Sequence, residues 1–98
     1  MDHADHVRLK RNEIVPEIVA GAIIYGRDNA TIGTIDHLQG AGDHTQIVID
    51  VGGFLGIGAK RVALFASQLD FMRDVDRTVH AVTQMTEEQL KALPVHVD

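Results

Sequence analysis

The side chains best suited to chemistry in this sequence are histidines and carboxylates. There are six histidines, fourteen Asp and Glu residues and no cysteine. His37 and His44 flank a turn at residues 40–43, so a hairpin would bring the two imidazoles close together. Asp36 and Asp43 lie beside them, and imidazole with carboxylate suits zinc. Neighbouring residues of a strand point to opposite faces, so we expect Asp36 and His37 not to converge. A solvated hairpin end is the favoured interpretation.

The start of the chain offers a second metal geometry. Met1-Asp2-His3 supplies an amine, two backbone amides and an imidazole, a square-planar set that suits Cu(II) or Ni(II). A mobile terminus provides no supporting shell for such a site, so a biological role is not expected. We therefore predict no cofactor and no metal, and the weak metal candidates are His37, His44 and His3.

A glycine-rich apolar segment, Gly52-Gly53-Phe54-Leu55-Gly56-Ile57-Gly58, raises the question of phosphate binding. A phosphate loop needs Gly-Lys-Ser/Thr leading into a helix, whereas Ala59 and Lys60 lead here into a strand pattern. The dinucleotide fingerprint fails as well, because the order is G-x-x-G-x-G and no helix follows. The segment is instead predicted to connect two strands. Its structural glycines are Gly52, Gly53, Gly56 and Gly58.

Other catalytic constellations are explained more simply by local structure. The single serine, Ser67, is predicted to cap a helical turn rather than act as a nucleophile. His80 lies in a strand pattern and is expected at the surface. We predict that the chain is not an enzyme and has no catalytic residues.

The elements that would position these residues are mostly short strands. Val and Ile contribute twenty residues and the aromatics only four, a composition typical of strands. Apolar runs alternate with Gly- and Asp-rich turns, and Gly33 is predicted to be a bulge or a site of close approach. The sequence Thr86-Glu87-Glu88-Gln89 matches a capping box and predicts a C-terminal helix with Leu90 and Leu93 facing the core. These features predict a mainly β fold, a small, partly open β-barrel of five or six short antiparallel strands with one short C-terminal helix.

Length and charge narrow the classes of protein. Ninety-eight residues allow one domain, predicted at residues 18–94, with a flexible or loosely docked arm at 1–17 and a tail at 95–98. A net charge of −5 argues against nucleic-acid binding. No apolar run approaches the roughly 18 residues of a membrane span, and the acidic start does not match a secretory signal. A cytoplasmic protein is expected.

Three stretches resemble the PRC-barrel domain. They are residues 24–33 (IYGRDNATIG), 51–58 (VGGFLGIG) and 86–94 (TEEQLKALP). The resemblance spans residues 21–94 and implies a stand-alone bacterial member of a family that also occurs in the photosynthetic reaction-centre H subunit and in a ribosome-maturation factor. Family members often carry Pro-Trp after the fourth strand, where this chain has Phe65-Ala66. The resemblance implies a non-catalytic protein-interaction or assembly module.

The apolar side chains of the glycine-rich segment lead to a prediction of the oligomeric state. The strands already supply enough Ile, Val and Leu to fill a small core, so Phe54, Leu55 and Ile57 are at least partly surplus. We therefore predict a homodimer whose contact includes Phe54 or Leu55, with an open sheet edge as the alternative contact. Two other functions stay open: a metal-binding or small-ligand protein or enzyme using a His/Asp site at the 36–44 hairpin, and a ribosome- or RNA-processing-associated factor.

Overall fold

The fold is built from short strands with two small helices. In the computed structural model, residues 7–40, 44–52 and 59–96 are described. The strands are β1 (Val7–Arg8), β2 (Ile23–Tyr25), β3 (Thr31–Gln39), β4 (Gln46–Val51), β5 (Lys60–Phe65), β6 (Leu69–Arg73) and β7 (Val79–Thr83). The helices are α1 (Pro16–Val19) and α2 (Glu87–Lys91), and 3₁₀ turns occupy Arg11–Glu13 and Ala66–Gln68.

All seven strands belong to one mixed sheet in the order β1-β6-β7-β2-β3-β4-β5. The pairs β2·β3, β3·β4, β4·β5, β6·β7 and β1·β6 are antiparallel. The central pair β2·β7 is parallel, with Ile23 opposite His80 and Tyr25 opposite Val82. The three residues of β2 therefore join the antiparallel strands β1, β6 and β7 to the antiparallel strands β3, β4 and β5.

The mainly β class is confirmed, but the predicted barrel and the all-antiparallel arrangement are wrong. The described residues form seven strands rather than the five or six predicted, and α1 is a helix in addition to the C-terminal one. Within residues 7–40, 44–52 and 59–96, β1 and β5 are the two ends of the sheet and no pairing joins them. One outer strand, β1, comes from the N-terminal region. At the other outer strand, β5, the Arg61 carbonyl accepts a hydrogen bond from the His96 N–H at 2.8 Å. The sheet is consequently open.

Two irregularities bend β3, the longest strand. The register shifts opposite Ile24 and Tyr25, and again between Ile35 and His37. Extra residues of this kind increase the local twist and bend of a strand. At Gly33, a Cβ would lie only 2.0 Å from the Asp50 carbonyl oxygen, so no larger residue fits without moving backbone. The close approach predicted at Gly33 is therefore confirmed.

One hydrophobic core lies on one side of this bent sheet. Its members are aliphatic except for Phe71, and they come from strands, both helices and the N-terminal segment: Leu9, Val19, Ala22, Ile24, Ile32, Ile35, Ile47, Ile49, Val51, Val62, Leu64, Leu69, Phe71, Ala81 and Leu90. In β4, Ile47, Ile49 and Val51 face this core, while Val48 and Asp50 face the opposite side by strand alternation.

The segment assigned to an N-terminal arm contacts the sheet from residue 7 onward. Leu9 belongs to the core, with 6% of its surface exposed, and its N–H donates to the Phe71 carbonyl at 2.8 Å. Glu13 accepts a hydrogen bond from the Lys10 N–H at 2.9 Å and pairs with Arg73 at 3.1 Å. The Lys10 N–H and then the Arg73 guanidinium hold the pKa of Glu13 below its ordinary value.

The C-terminal helix starts where the sequence predicts. The Thr86 hydroxyl accepts from the Gln89 N–H at 3.1 Å, and the Gln89 side chain accepts from the Thr86 N–H at 2.9 Å. This reciprocal capping box satisfies two donors that the first helical turn cannot. It also sets the helix rotation, so that Leu90 is fully buried and Leu93 packs partly against the core.

Candidate functional site

A charged cluster lies on the face of β3, β4 and β5 that points away from the core. Arg61 of β5 is its centre, with Nε 3.0 Å from Asp50 Oδ1 and Nη2 3.1 Å from Asp36 Oδ1. Asp50 is opposite Arg61 in the β4·β5 register, which explains the first contact. Two carboxylates that flank one guanidinium fix its planar donor groups in place. We call this cluster, with His37, Gln39 and His96, the outer patch.

The second bulge of β3 brings Asp36 and His37 together. His37 Nδ1 lies 2.5 Å from Asp36 Oδ2, and about a third of each side chain is exposed. The expectation that these neighbours would not converge is wrong, because the bulge interrupts the alternation of faces between Ile35 and His37. A carboxylate on one ring nitrogen orients the imidazole and selects its tautomer.

The C-terminal segment contacts the outer patch through His96. The His96 backbone N–H binds the Arg61 carbonyl of β5, and its Nε2 lies 2.8 Å from Gln39 Oε1 of β3. His96 therefore contacts both strands that flank β4, β5 through its backbone and β3 through its side chain. Lys60 Nζ also donates to the Lys91 carbonyl at the end of α2, at 2.5 Å. The outer patch thus combines one fixed cation, two carboxylates and two imidazoles.

The metal candidates of the sequence do not assemble in the part of the chain that the structure describes. There, no three His, Asp or Glu side chains are placed to hold a metal ion. His44 is exposed just before β4, whereas His37 is opposite Val48, farther along the hairpin. His3 and Asp43 lie outside the described residues, so His3 stays a prediction.

The glycine-rich segment is described only at its two ends. Gly52 follows β4 with a positive φ of 71°, which glycine adopts without strain, and its N–H donates to the Ile32 carbonyl at 2.8 Å. A Cβ at Gly52 would lie 3.3 Å from Lys91 Cε, so this end of the hairpin sits against α2. Gly53, Phe54, Leu55, Gly56, Ile57 and Gly58 lie outside the described residues, and their roles stay predictions.

A groove of about 390 Å³ opens beside this end of the hairpin. It runs between the β2–β3 turn and the start of α2, and its lining includes Arg27, Ala30, Ile32, Met85 and Glu87. Ile32 also accepts the hydrogen bond from Gly52, so groove and hairpin end share a wall. We call it the loop groove. No periodic pattern in the sequence indicates this groove, because its walls come from segments more than fifty residues apart.

Two further sequence expectations are wrong. His80 is buried, with 3% of its surface exposed, and its ring stands edge-on to Tyr25 at 5.5 Å between centroids. It is buried because β7 lies inside the sheet between β6 and β2. Ser67 does not cap its 3₁₀ turn; the Gln68 side chain does so by accepting the Phe65 N–H at 2.8 Å.

No protein-family model matches the chain, and no curated protein matches it. Among the described residues, no helix is long and apolar enough to span a membrane.

Proposed function

We propose that the protein is a non-catalytic, self-associating interaction module of the PRC-barrel type that acts in the cytoplasm. The observation that carries the proposal is the loop groove beside the hairpin end that carries residues 53–58. A two-fold dimer needs a self-complementary patch, in which each copy offers both a projection and a recess. The loop groove supplies a recess, and its lining residue Ile32 accepts a hydrogen bond from Gly52, which precedes Phe54, Leu55 and Ile57 in the sequence.

The size and lining of the groove support this role. A volume of about 390 Å³ is within the range of sites that enclose small ligands, so it has room for one or two large side chains. In its lining, Ile32 is buried and Met85 partly buried, whereas the polar residues are exposed: Arg27, Asp28, Thr31, Thr86 and Glu87. Apolar centres with polar rims are typical of protein–protein contacts.

The sheet edges, the alternative contact, are less suited to pairing with another chain. At the β5 edge, the Arg61 carbonyl is taken by the His96 N–H and the Phe65 N–H by the Gln68 side chain. In the described part of the chain, the other edge strand, β1, spans the two residues Val7–Arg8. Short or covered edges disfavour strand addition. These features support a contact through the loop groove rather than through a sheet edge.

Light scattering at micromolar concentration tests the proposal. The protein is expected to have a dimeric mass, and the double substitution Phe54→Asp with Leu55→Asp is expected to give a monomer, because it places charges in an apolar contact. Ala30→Arg, which puts a long cation into the loop groove from an exposed position, is expected to do the same.

Matched controls separate these effects from a general effect of charge. Val75→Asp adds a carboxylate at a large apolar residue that is 80% accessible in the β6–β7 turn, and it should leave the dimer intact. Ala20→Arg, also exposed, is the control for Ala30→Arg. A monomeric mass for the unaltered protein would refute self-association, and dimers that survive both test variants would place the contact elsewhere.

A further inference from the structure

A small pocket opens where β2 and β7 run parallel, apart from both the outer patch and the loop groove. Its volume is about 160 Å³. Residues of the β6–β7 turn and residues just before β2 are part of its lining. The lining joins apolar and polar side chains: Ile23, Tyr25, Asp74, Thr78, Val79 and His80.

Aromatic and aliphatic groups form most of the wall. Tyr25 and His80 meet edge to face, with an angle of 79° between the rings. Ile23 is 41% exposed although it is a large aliphatic residue, and it lies directly opposite His80 in the parallel register. An aliphatic side chain and two rings therefore surround the pocket. Such walls favour a ligand with an aromatic ring, because aromatic groups pack well edge to face.

Asp74 gives the pocket a directed polar group. Its Oδ1 accepts the N–H groups of Asp76 and Thr78, each at 2.9 Å, so the carboxylate is held in place by the turn. A carboxylate has about four acceptor positions, and these two bonds use only Oδ1. Because Asp74 lines the pocket and its Oδ2 takes no part in the two turn bonds, its negative charge favours a ligand with a hydrogen-bond donor over an anion.

The volume limits the ligand to a single ring. An engineered cavity of about 150 Å³ in another protein holds benzene, which is close to the volume here. We propose that this pocket is a binding site for a monocyclic aromatic ligand that carries a hydrogen-bond donor, a phenol in the simplest case. The ring lies against Ile23 and the Tyr25–His80 pair, and its donor points to Asp74. This site is independent of the proposed self-association.

Two-dimensional NMR of the full chain with phenol as the probe tests this inference. Phenol up to about 20 mM should produce saturable shifts at the amides of Ile23, Val79 and His80, since ligands of so few atoms bind in the millimolar range. Benzoate, a ring of the same size with a negative charge, should bind at least about threefold more weakly, because it meets the Asp74 carboxylate. Absence of saturable shifts at these residues would overturn the proposal, as would saturation confined to other parts of the chain.

Three variants make the test specific. Ile23→Ala should weaken the binding of phenol at least about threefold, because it removes aliphatic contact with the ring. Asp74→Asn keeps an oxygen that can accept the two turn N–H groups but removes the charge, so the preference for phenol over benzoate should shrink. Val7→Ala, on a residue 68% exposed in β1, is the control and should change neither affinity. Unchanged phenol affinity in Ile23→Ala, or an unchanged preference in Asp74→Asn, would refute this placement of the ligand.

Discussion

Replacement of Leu90 by alanine tests how far α2 contributes to the core. Leu90 has no exposed surface and belongs to the same cluster as the strand residues beneath it. The substitution removes three carbon atoms, about 2.4 kcal/mol at roughly 0.8 kcal/mol for each buried methylene. The cavity that remains adds to this loss, so we expect a decrease of about 3 kcal/mol in the free energy of unfolding.

A loss of this size is easily measured in a domain of 98 residues. Total stabilities of about 5–15 kcal/mol are usual for such domains, and about 3 kcal/mol corresponds to a decrease of roughly 12–24 °C in Tm. Because the chain has no tryptophan, urea unfolding followed by far-ultraviolet circular dichroism is the suitable assay.

Neighbouring positions on the helix provide the controls. Leu93→Ala should cost less than Leu90→Ala, because Leu93 is only partly buried. Leu90→Met conserves volume and should cost less than about 1.5 kcal/mol, so it reports on the site even where alanine prevents folding. A loss below about 1 kcal/mol for Leu90→Ala would refute the reasoning, since it would mean that α2 does not close the core.

Two further predictions concern the N-terminal segment. Leu9→Ala should decrease the free energy of unfolding by about 2–5 kcal/mol, because Leu9 is a core residue; a change below about 1 kcal/mol in urea unfolding would mean that the segment is loosely docked, as the sequence suggested. The pKa of Glu13 is lowered by the Lys10 N–H and by Arg73, so its stabilising effect is present above its usual pKa of 4.5 and is lost as the pH falls through its lower pKa in the folded protein. Glu13→Gln should therefore be less stable than the parent protein at pH 7, and the difference in stability should become smaller in acid. A difference in Tm that does not change between pH 7 and pH 3 would contradict this.

Local patterns were enough to predict most of the elements. The β-branched run at 46–51 is strand β4, and the Asp- and Gly-rich turn after Tyr25 connects β2 to β3. The capping box at Thr86 starts α2 as predicted. These features depend on side-chain periodicity and on hydrogen bonds between residues three or four positions apart, so they can be recognised in the sequence.

The arrangement of these elements was decided by contacts between distant residues. The parallel β2·β7 pair joins residues more than fifty positions apart, and it buries His80, which its local pattern placed at the surface. The bulge that joins Asp36 to His37 depends on how β3 pairs with β4, and the pairing of Arg61 with both Asp36 and Asp50 depends on three adjacent strands. Strand alternation by itself predicts the opposite for Asp36 and His37. The composition therefore determined a mainly β chain, whereas the strand order, the open sheet and the sites on its surface came from tertiary packing, because hydrogen-bond register between strands is set by the whole fold.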